Sequence, residues 1–186
     1  MPYKIRKKHR NLGRGYQKTE MKGLDMMRSI RINFQKTTIR RCAMNREQYL
    51  EYIDHFNNKR YDALTSYFTD DITVEYFDNA FGQDFPARTL HGPLEFAENY
   101  KSLHAHTREV LELGDFMSEG ELLFAELYTE FHSFKDAPAS FGRPWKKGDS
   151  SIMTNWVMYN LDETSKMKRI RIAHFRNHDP ATAKYL

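Results

Sequence analysis

Between Asn45 and Phe56 the apolar positions Tyr49, Leu50, Ile53 and Phe56 recur at helical spacing and share one face. Asn45 can cap this helix, and Gln48, three residues on, completes a capping-box-like pair. After Asn57-Asn58 the spacing predicts a second, short helix carrying Tyr61, Leu64, Tyr67 and Phe68, which stops at Thr69-Asp70-Asp71. Ile72 to Phe77, rich in β-branched and aromatic residues, reads as a strand. A loop with Gly82, Pro86 and Gly92 follows. Pro93 then suits the first turn of a third helix, with Phe96, Tyr100 and Leu103 at i, i+4, i+7. From His106 onward the period changes to two. Strands are predicted over 106–117, 121–134, 150–160 and 167–177, with tight turns at Ser118-Glu119-Gly120 and at Asp162 to Ser165. The connection 135–149 (KDAPASFGRPWKKGD) is long enough for a lid and equally compatible with an ordinary hairpin excursion.

This order of elements predicts an α+β fold. Three helices pack over the concave face of a cone-shaped, bent antiparallel sheet, a cystatin-like α+β barrel. The interior of such a cone is a natural pocket for a small molecule. Composition agrees with a packed core, because 40% of the 186 residues are hydrophobic and 14% aromatic despite a mean hydropathy of −0.78. No apolar run approaches the ~18 residues needed to span a bilayer, so no membrane partner is expected. A single cysteine, Cys42, excludes an intramolecular disulfide framework and a cysteine-based zinc site.

The formal charge of +4 is unevenly placed. Residues 1–43 carry 13 Lys and Arg against two acids, a net +11, and the remaining 143 residues are net −7. The basic segment cannot bury enough apolar surface to fold alone and reads as a disordered leader. A nucleic-acid arm, an organelle transit peptide and a dispensable extension all remain open for it, while the absence of an apolar h-region excludes a secretory signal. A cytoplasmic location is expected, or a mitochondrial one if the leader acts as a transit peptide. The expected organisation is therefore a leader over 1–43, one domain over 44–180 and a short tail over 181–186.

The stretch EYIDHFNNKRYDALTSYFTDDITVEY (51–76), followed by HGPLEF (91–96), resembles the opening of SnoaL-like, or nuclear transport factor 2-like, cone domains. The resemblance covers roughly 45–180. That fold hosts dehydratases, isomerases, cyclases, epoxide hydrolases and non-catalytic binders, so it implies architecture more than chemistry. Laid on the scytalone dehydratases, Tyr76 falls on a tyrosine that holds a catalytic water, His132 on a catalytic histidine and Asn155 on an active-site asparagine. His106 falls one residue from their second histidine, and Phe56-Asn57 stands where they have Tyr-Asp. Laid on the ketosteroid isomerases, Tyr52 matches the oxyanion-hole tyrosine, Asn155 replaces the protonated aspartate, and Tyr76 replaces the aspartate base. The last exchange argues against steroid isomerisation.

The residues themselves support such chemistry. A neutral histidine such as His132 can move a proton near pH 7, and Tyr52, Tyr76 and Asn155 can hold an oxyanion or a water. Each also has a plain packing role: Tyr52 shares a helical stripe with Tyr49 and Phe56, Tyr76 alternates with Val74, and Asn155 alternates with Met153, Val157 and Tyr159. His132 alternates with Phe124, Glu126, Tyr128 and Glu130. Either the pocket contains glutamates, or a bulge re-aims the strand, or His132 faces outward. Phe56, Trp156 and His174, the last on a face with Ile170 and Ile172, are further ligand-binding candidates. The His104-x-His106 spacing is generic, so no metal is expected, and the proposed chemistry needs no cofactor. Lys168, Arg169, Arg171 and Arg176 lack interleaved aromatics and read as a solvated face, not a nucleic-acid site.

These observations predict a cofactor-independent enzyme, a lyase (dehydratase) or isomerase/cyclase, that dehydrates, isomerises or cyclises a small carbonyl or aromatic, polyketide-like compound. A homodimer is the expected assembly. The rival reading is a non-catalytic cone that binds a small ligand or a partner chain, and a third is the small subunit of a ring-hydroxylating oxygenase.

Overall fold

The computed structural model describes residues 44–78, 87–140 and 143–185. All lie within the compact unit Ile39–Leu186. The basic leader, Gly82 and Pro86 fall outside the described residues.

Helix α1 (Arg46–Asn57) begins with both halves of the capping box. The Gln48 amide donates to Asn45 Oδ1 at 2.8 Å, and the Asn45 amide donates to Gln48 Oε1 at 2.9 Å. Tyr49, Tyr52, Ile53 and Phe56 are buried, whereas Leu50 lies off that stripe and is 44% exposed. Helix α2 (Tyr61–Thr65) is shorter than its spacing predicts. The backbone becomes extended at Phe68, where β1 (Phe68–Asp78) begins four residues before the expected strand. Sheet pairing wins over helical spacing at this point, because Met167 N donates to Tyr67 O. A short strand not expected from the sequence, β2 (Arg88–His91), precedes helix α3 (Gly92–His104). Gly92 adopts φ +74°, a conformation that side chains rarely take, and Pro93 occupies the first turn.

The remaining strands are β3 (Thr107–Glu119), β4 (Leu122–Ser133), β5 (Ala137–Ser140), β6 (Arg143–Trp145), β7 (Ser150–Leu161) and β8 (Met167–His178). Among the described residues six of the eight strands form one sheet in the order β2-β1-β8-β7-β4-β3. The sheet is mixed, which corrects the expected antiparallel arrangement: β1 runs parallel to β8, with Val74 opposite Ile170 and Tyr76 opposite Ile172. It is also open, with β2 and β3 at its edges, so the barrel does not close. Register shifts between Leu113 and Phe116 in β3 and next to Phe175 in β8 interrupt the ladders, and such bulges bend a strand and increase its twist.

The core fills the space between the helices and the inner face of the sheet. Tyr49, Leu64, Phe68, Ile72, Leu161 and Met167 are almost fully buried there, and the Tyr49 and Tyr159 hydroxyls satisfy one another at 2.5 Å. Within the 135–149 connection β5 and β6 pair with one another, and Trp145 is buried against Phe131 and Met153. The C-terminal segment is docked. After a single 3-10 turn at Pro180–Thr182, the backbone N–H groups of Lys184 and Tyr185 donate to the Glu130 carboxylate at 2.6 and 3.1 Å.

Candidate active site

The inner face of the sheet, α1 and α3 enclose a cavity of about 110 Å³. Its wall is mostly apolar, formed by residues such as Phe56, Phe96, Leu103, Leu111, Val157 and Ile172. The volume is of the order of the ~150 Å³ apolar cavity that admits benzene, so it fits an occupant of single-ring size. The polar groups facing it come from opposite ends of the sheet.

On edge strand β3, Thr107, Glu109 and Leu111 alternate toward the interior, and this places a carboxylate in an apolar wall. Glu109 is 6% exposed, and its Oε2 is hydrogen-bonded to His104 Nε2 at 3.1 Å. His104, at the end of α3, is equally buried and is hydrogen-bonded through Nδ1 to the Tyr61 hydroxyl at 2.8 Å. Both imidazole nitrogens are thereby engaged and the ring is fixed. Burial pushes the Glu109 carboxyl above its ordinary value, against the opposing hydrogen bond and charge of His104.

On the other side, Tyr76 of β1 and Tyr100 of α3 bring their hydroxyls within 2.9 Å of each other. Burial raises the Tyr76 phenol to about 12, even though the Tyr100 hydrogen bond and the nearby Arg88 guanidinium pull it down. Burial likewise holds Tyr52 and Tyr100 well above the usual phenol range, so all three are neutral donors at physiological pH. Arg88 stands opposite Tyr76 in the β1–β2 ladder, with its guanidinium 4.4 Å above the Tyr76 ring. Asn155 of β7 lines the cavity as its alternation predicts, and its amide donates to Thr129 Oγ1 at 3.2 Å. Phe56 stacks edge-on against Tyr100 and His104.

Of the residues singled out from the sequence, Tyr52, Tyr76, Asn155 and Phe56 meet at this cavity. Four others do not. His132 points to the outer face, where its Nε2 is hydrogen-bonded to Glu130 at 2.8 Å, since strict alternation along β4 turns Leu127, Thr129 and Phe131 inward. Glu126 and Glu130 share that outer face and do not line the cavity. His106 lies at the turn after α3, with Nδ1 hydrogen-bonded to the Ser102 carbonyl at 3.3 Å. His174 follows Ile172 on the same strand but lies beyond the lining, with Nε2 hydrogen-bonded to Asn177 Oδ1 at 3.1 Å. Trp156, 41% exposed, stacks on Phe175 at 3.8 Å on the outer face, and its Nε1 donates to Glu126 at 2.9 Å.

Glu109, Tyr100, Arg88 and Thr129 line the cavity without having been expected there, and His104 supports it from behind. The signal for Glu109 was available: it is an acid placed between Thr107 and Leu111 on the apolar face of a period-two strand. The arrangement offers a buried carboxylate able to take up a proton, and facing it a pair of hydroxyls able to hold a developing oxyanion. Among the described residues no cluster of His, Cys, Asp and Glu is suited to hold a metal ion.

No family model matches the sequence, and no curated protein matches it significantly. Solved structures do. A SnoaL-like polyketide cyclase from Agrobacterium tumefaciens aligns over 69% of this chain and 88% of its own, at 18% identity and a TM-score of 0.51. An NTF2-like protein of unknown function from Burkholderia pseudomallei aligns over 69% and 88%, at 12% identity and a TM-score of 0.53. An LEH-like epoxide hydrolase from M. tuberculosis aligns over 68% and 79%, at 9% identity and a TM-score of 0.51. At these identities the likeness is one of architecture. The chain has the α+β cone fold of the SnoaL-like, nuclear transport factor 2-like proteins.

Proposed function

We propose that the cavity is the active site of a cofactor-independent enzyme that moves a proton on a small carbonyl compound, leading to its isomerisation, cyclisation or dehydration. The observation that carries this reading is Glu109, a buried carboxylate in an apolar wall with a raised pKa and a single fixed partner, His104. Such a group takes a proton from carbon more readily than a solvated carboxylate, because ionisation in that setting is already disfavoured. His104, held by Tyr61, keeps the carboxylate aimed into the cavity and steadies its ionised form. The Tyr76 and Tyr100 hydroxyls donate to the carbonyl oxygen as it gains charge, and Tyr52 and Asn155 orient the rest of the substrate. The base assigned to His132 by resemblance is thus moved to Glu109.

The test needs no knowledge of the natural substrate. Cyclohexanone incubated with the protein in D2O should exchange its α-protons faster than in buffer, as followed by proton NMR. Glu109→Gln should abolish the acceleration and Tyr76→Phe should reduce it by about tenfold to a hundredfold. Full exchange in Glu109→Gln would refute the assignment. A ligand that binds without exchange would favour a non-catalytic cone.

The reading includes a homodimer. The exposed Trp156–Phe175 stack and Met158 form the outer-face surface that a second copy would cover. Sedimentation equilibrium of the wild type and Trp156→Glu tests it, a dimer converted to a monomer being the supporting result.

A further inference from the structure

The two charged residues that line the cavity come from the two edge strands, Glu109 from β3 and Arg88 from β2. The bend of the sheet brings them to one space. Glu109 has a role in the reading above, whereas Arg88 has none yet. Its guanidinium is held in place by neutral groups. One face lies 4.4 Å above the Tyr76 ring, and Nη1 donates to Asn99 Oδ1 of α3 at 2.8 Å. The Tyr76 and Tyr100 hydroxyls lie beside it at the cavity wall. Among the described residues no carboxylate forms an ion pair with Arg88, although Arg169, Lys184 and Lys168 each have one.

A guanidinium fixed by a ring face and one amide oxygen keeps further N–H groups in a planar fork, the geometry that matches a carboxylate. The Glu109 carboxylate at the other edge repels a second negative charge, so an anionic occupant can enter in one orientation only. Its charged end stays with Arg88, and its apolar body lies toward Leu103, Leu111 and Glu109.

We infer that the cavity takes small organic acids of single-ring size, with Arg88 as the specificity-determining residue that binds the carboxylate. This inference rests on the reading of the cavity as a ligand site and adds the charge of the ligand to it. Arg88 is exposed at the cavity, so its charge is open to an incoming carboxylate, and a neutral carbonyl compound would make no use of it.

Benzoate and its neutral isostere benzamide test it by isothermal titration calorimetry on the full chain. The wild type should bind benzoate at least about tenfold more tightly than benzamide, as charge-assisted hydrogen bonds require. The preference should shrink as salt is raised. Arg88→Met, which keeps the length of the side chain, should bring the two ligands within roughly twofold of each other, and Arg88→Lys should retain part of the preference. Equal binding of the two ligands by the wild type, or a preference that survives in Arg88→Met, would overturn the inference and leave the cavity as a ligand site. If the wild type binds neither compound, the inference and the ligand-site reading both fail. The salt series on the wild type gives an answer even if Arg88→Met does not fold.

Discussion

Each face of the sheet carries a Glu–His pair whose carboxylate is buried, and the two pairs behave in opposite ways. On the inner face Glu109 is hydrogen-bonded to His104, and burial dominates, so its carboxyl lies above the ordinary 4.5. On the outer face Glu130 is fully buried as well. Burial again pushes it up, but donors from Lys184 N, His132, Tyr128 and Tyr185 N more than reverse the effect, and its pKa is lowered to about 2. The difference is the number of donors aimed at the carboxylate. A saturated carboxylate is a structural anchor with no lone pair to offer a substrate. A carboxylate with one side-chain partner retains the capacity to accept a proton.

The largest effect is expected from Glu130→Ala. Four donors lose their acceptor in a buried site, and the expected loss is about 3–5 kcal/mol in chemical denaturation. The amides of Lys184 and Tyr185 should lose hydrogen-exchange protection at the same time. The pH dependence has a definite sign. Because Glu130 is depressed from 4.5 to about 2, its stabilisation is present above pH 4.5 and is lost as pH falls toward 2. Acid titration of stability should show this loss in the wild type and lack it in Glu130→Gln.

The same change on the inner face should have the opposite sign. Glu109 is raised by burial, so its contribution is lost as pH rises through the folded value, and the ionised form is the unfavourable one. Glu109→Gln should therefore be at least as stable as the wild type at pH 8 while losing exchange activity, the trade-off expected of a catalytic group. A loss of stability as large as that of Glu130→Ala would place both glutamates in the structural class.

Smaller effects are expected at Tyr76 and Trp156. Tyr76→Phe removes one partner of a buried hydroxyl pair and should cost about 1 kcal/mol, as read from chemical denaturation. Trp156→Ala, on the outer face, should cost only about 0.5–1 kcal/mol through loss of the Phe175 stack, as read from a thermal melt.

Much of this was legible in the sequence where one residue's pattern decided the matter. The capping box at Asn45, Pro93 at the start of α3, and the alternation that turns Met153, Asn155, Val157 and Tyr159 inward are local signals, and all appear in the structure. The alternation of β4 set His132 beside Glu130 and opposite Leu127, and an outward face was one of the three placements it left open. Residue-by-residue resemblance pulled the other way, toward a pocket role. Glu109 was overlooked because a charged residue in a strand reads as solvent-facing unless its neighbours at two-residue spacing are weighed. The parallel pairing of β1 with β8 was not legible because its partners lie far apart in sequence, and the short strand β2 was not because four residues are too few to show a period. Arg88 and Tyr76 meet across the β1–β2 ladder, and no local period points from one to the other.

The parallel ladder between β1 and β8 also fixes the order in which the domain can be finished during synthesis. Val74 and Tyr76 wait for Ile170 and Ile172, close to a hundred residues later in the chain. Until β8 leaves the ribosome, β1 has β2 as a neighbour but an unpaired edge on its other side, with Ile72 and Val74 not yet covered by that strand. Contacts this distant in sequence form slowly, and an unpaired edge is prone to join a neighbouring chain. A nascent chain cut before Met167 would thus lack both the last wall of the cavity and the strand that keeps β1 from pairing elsewhere.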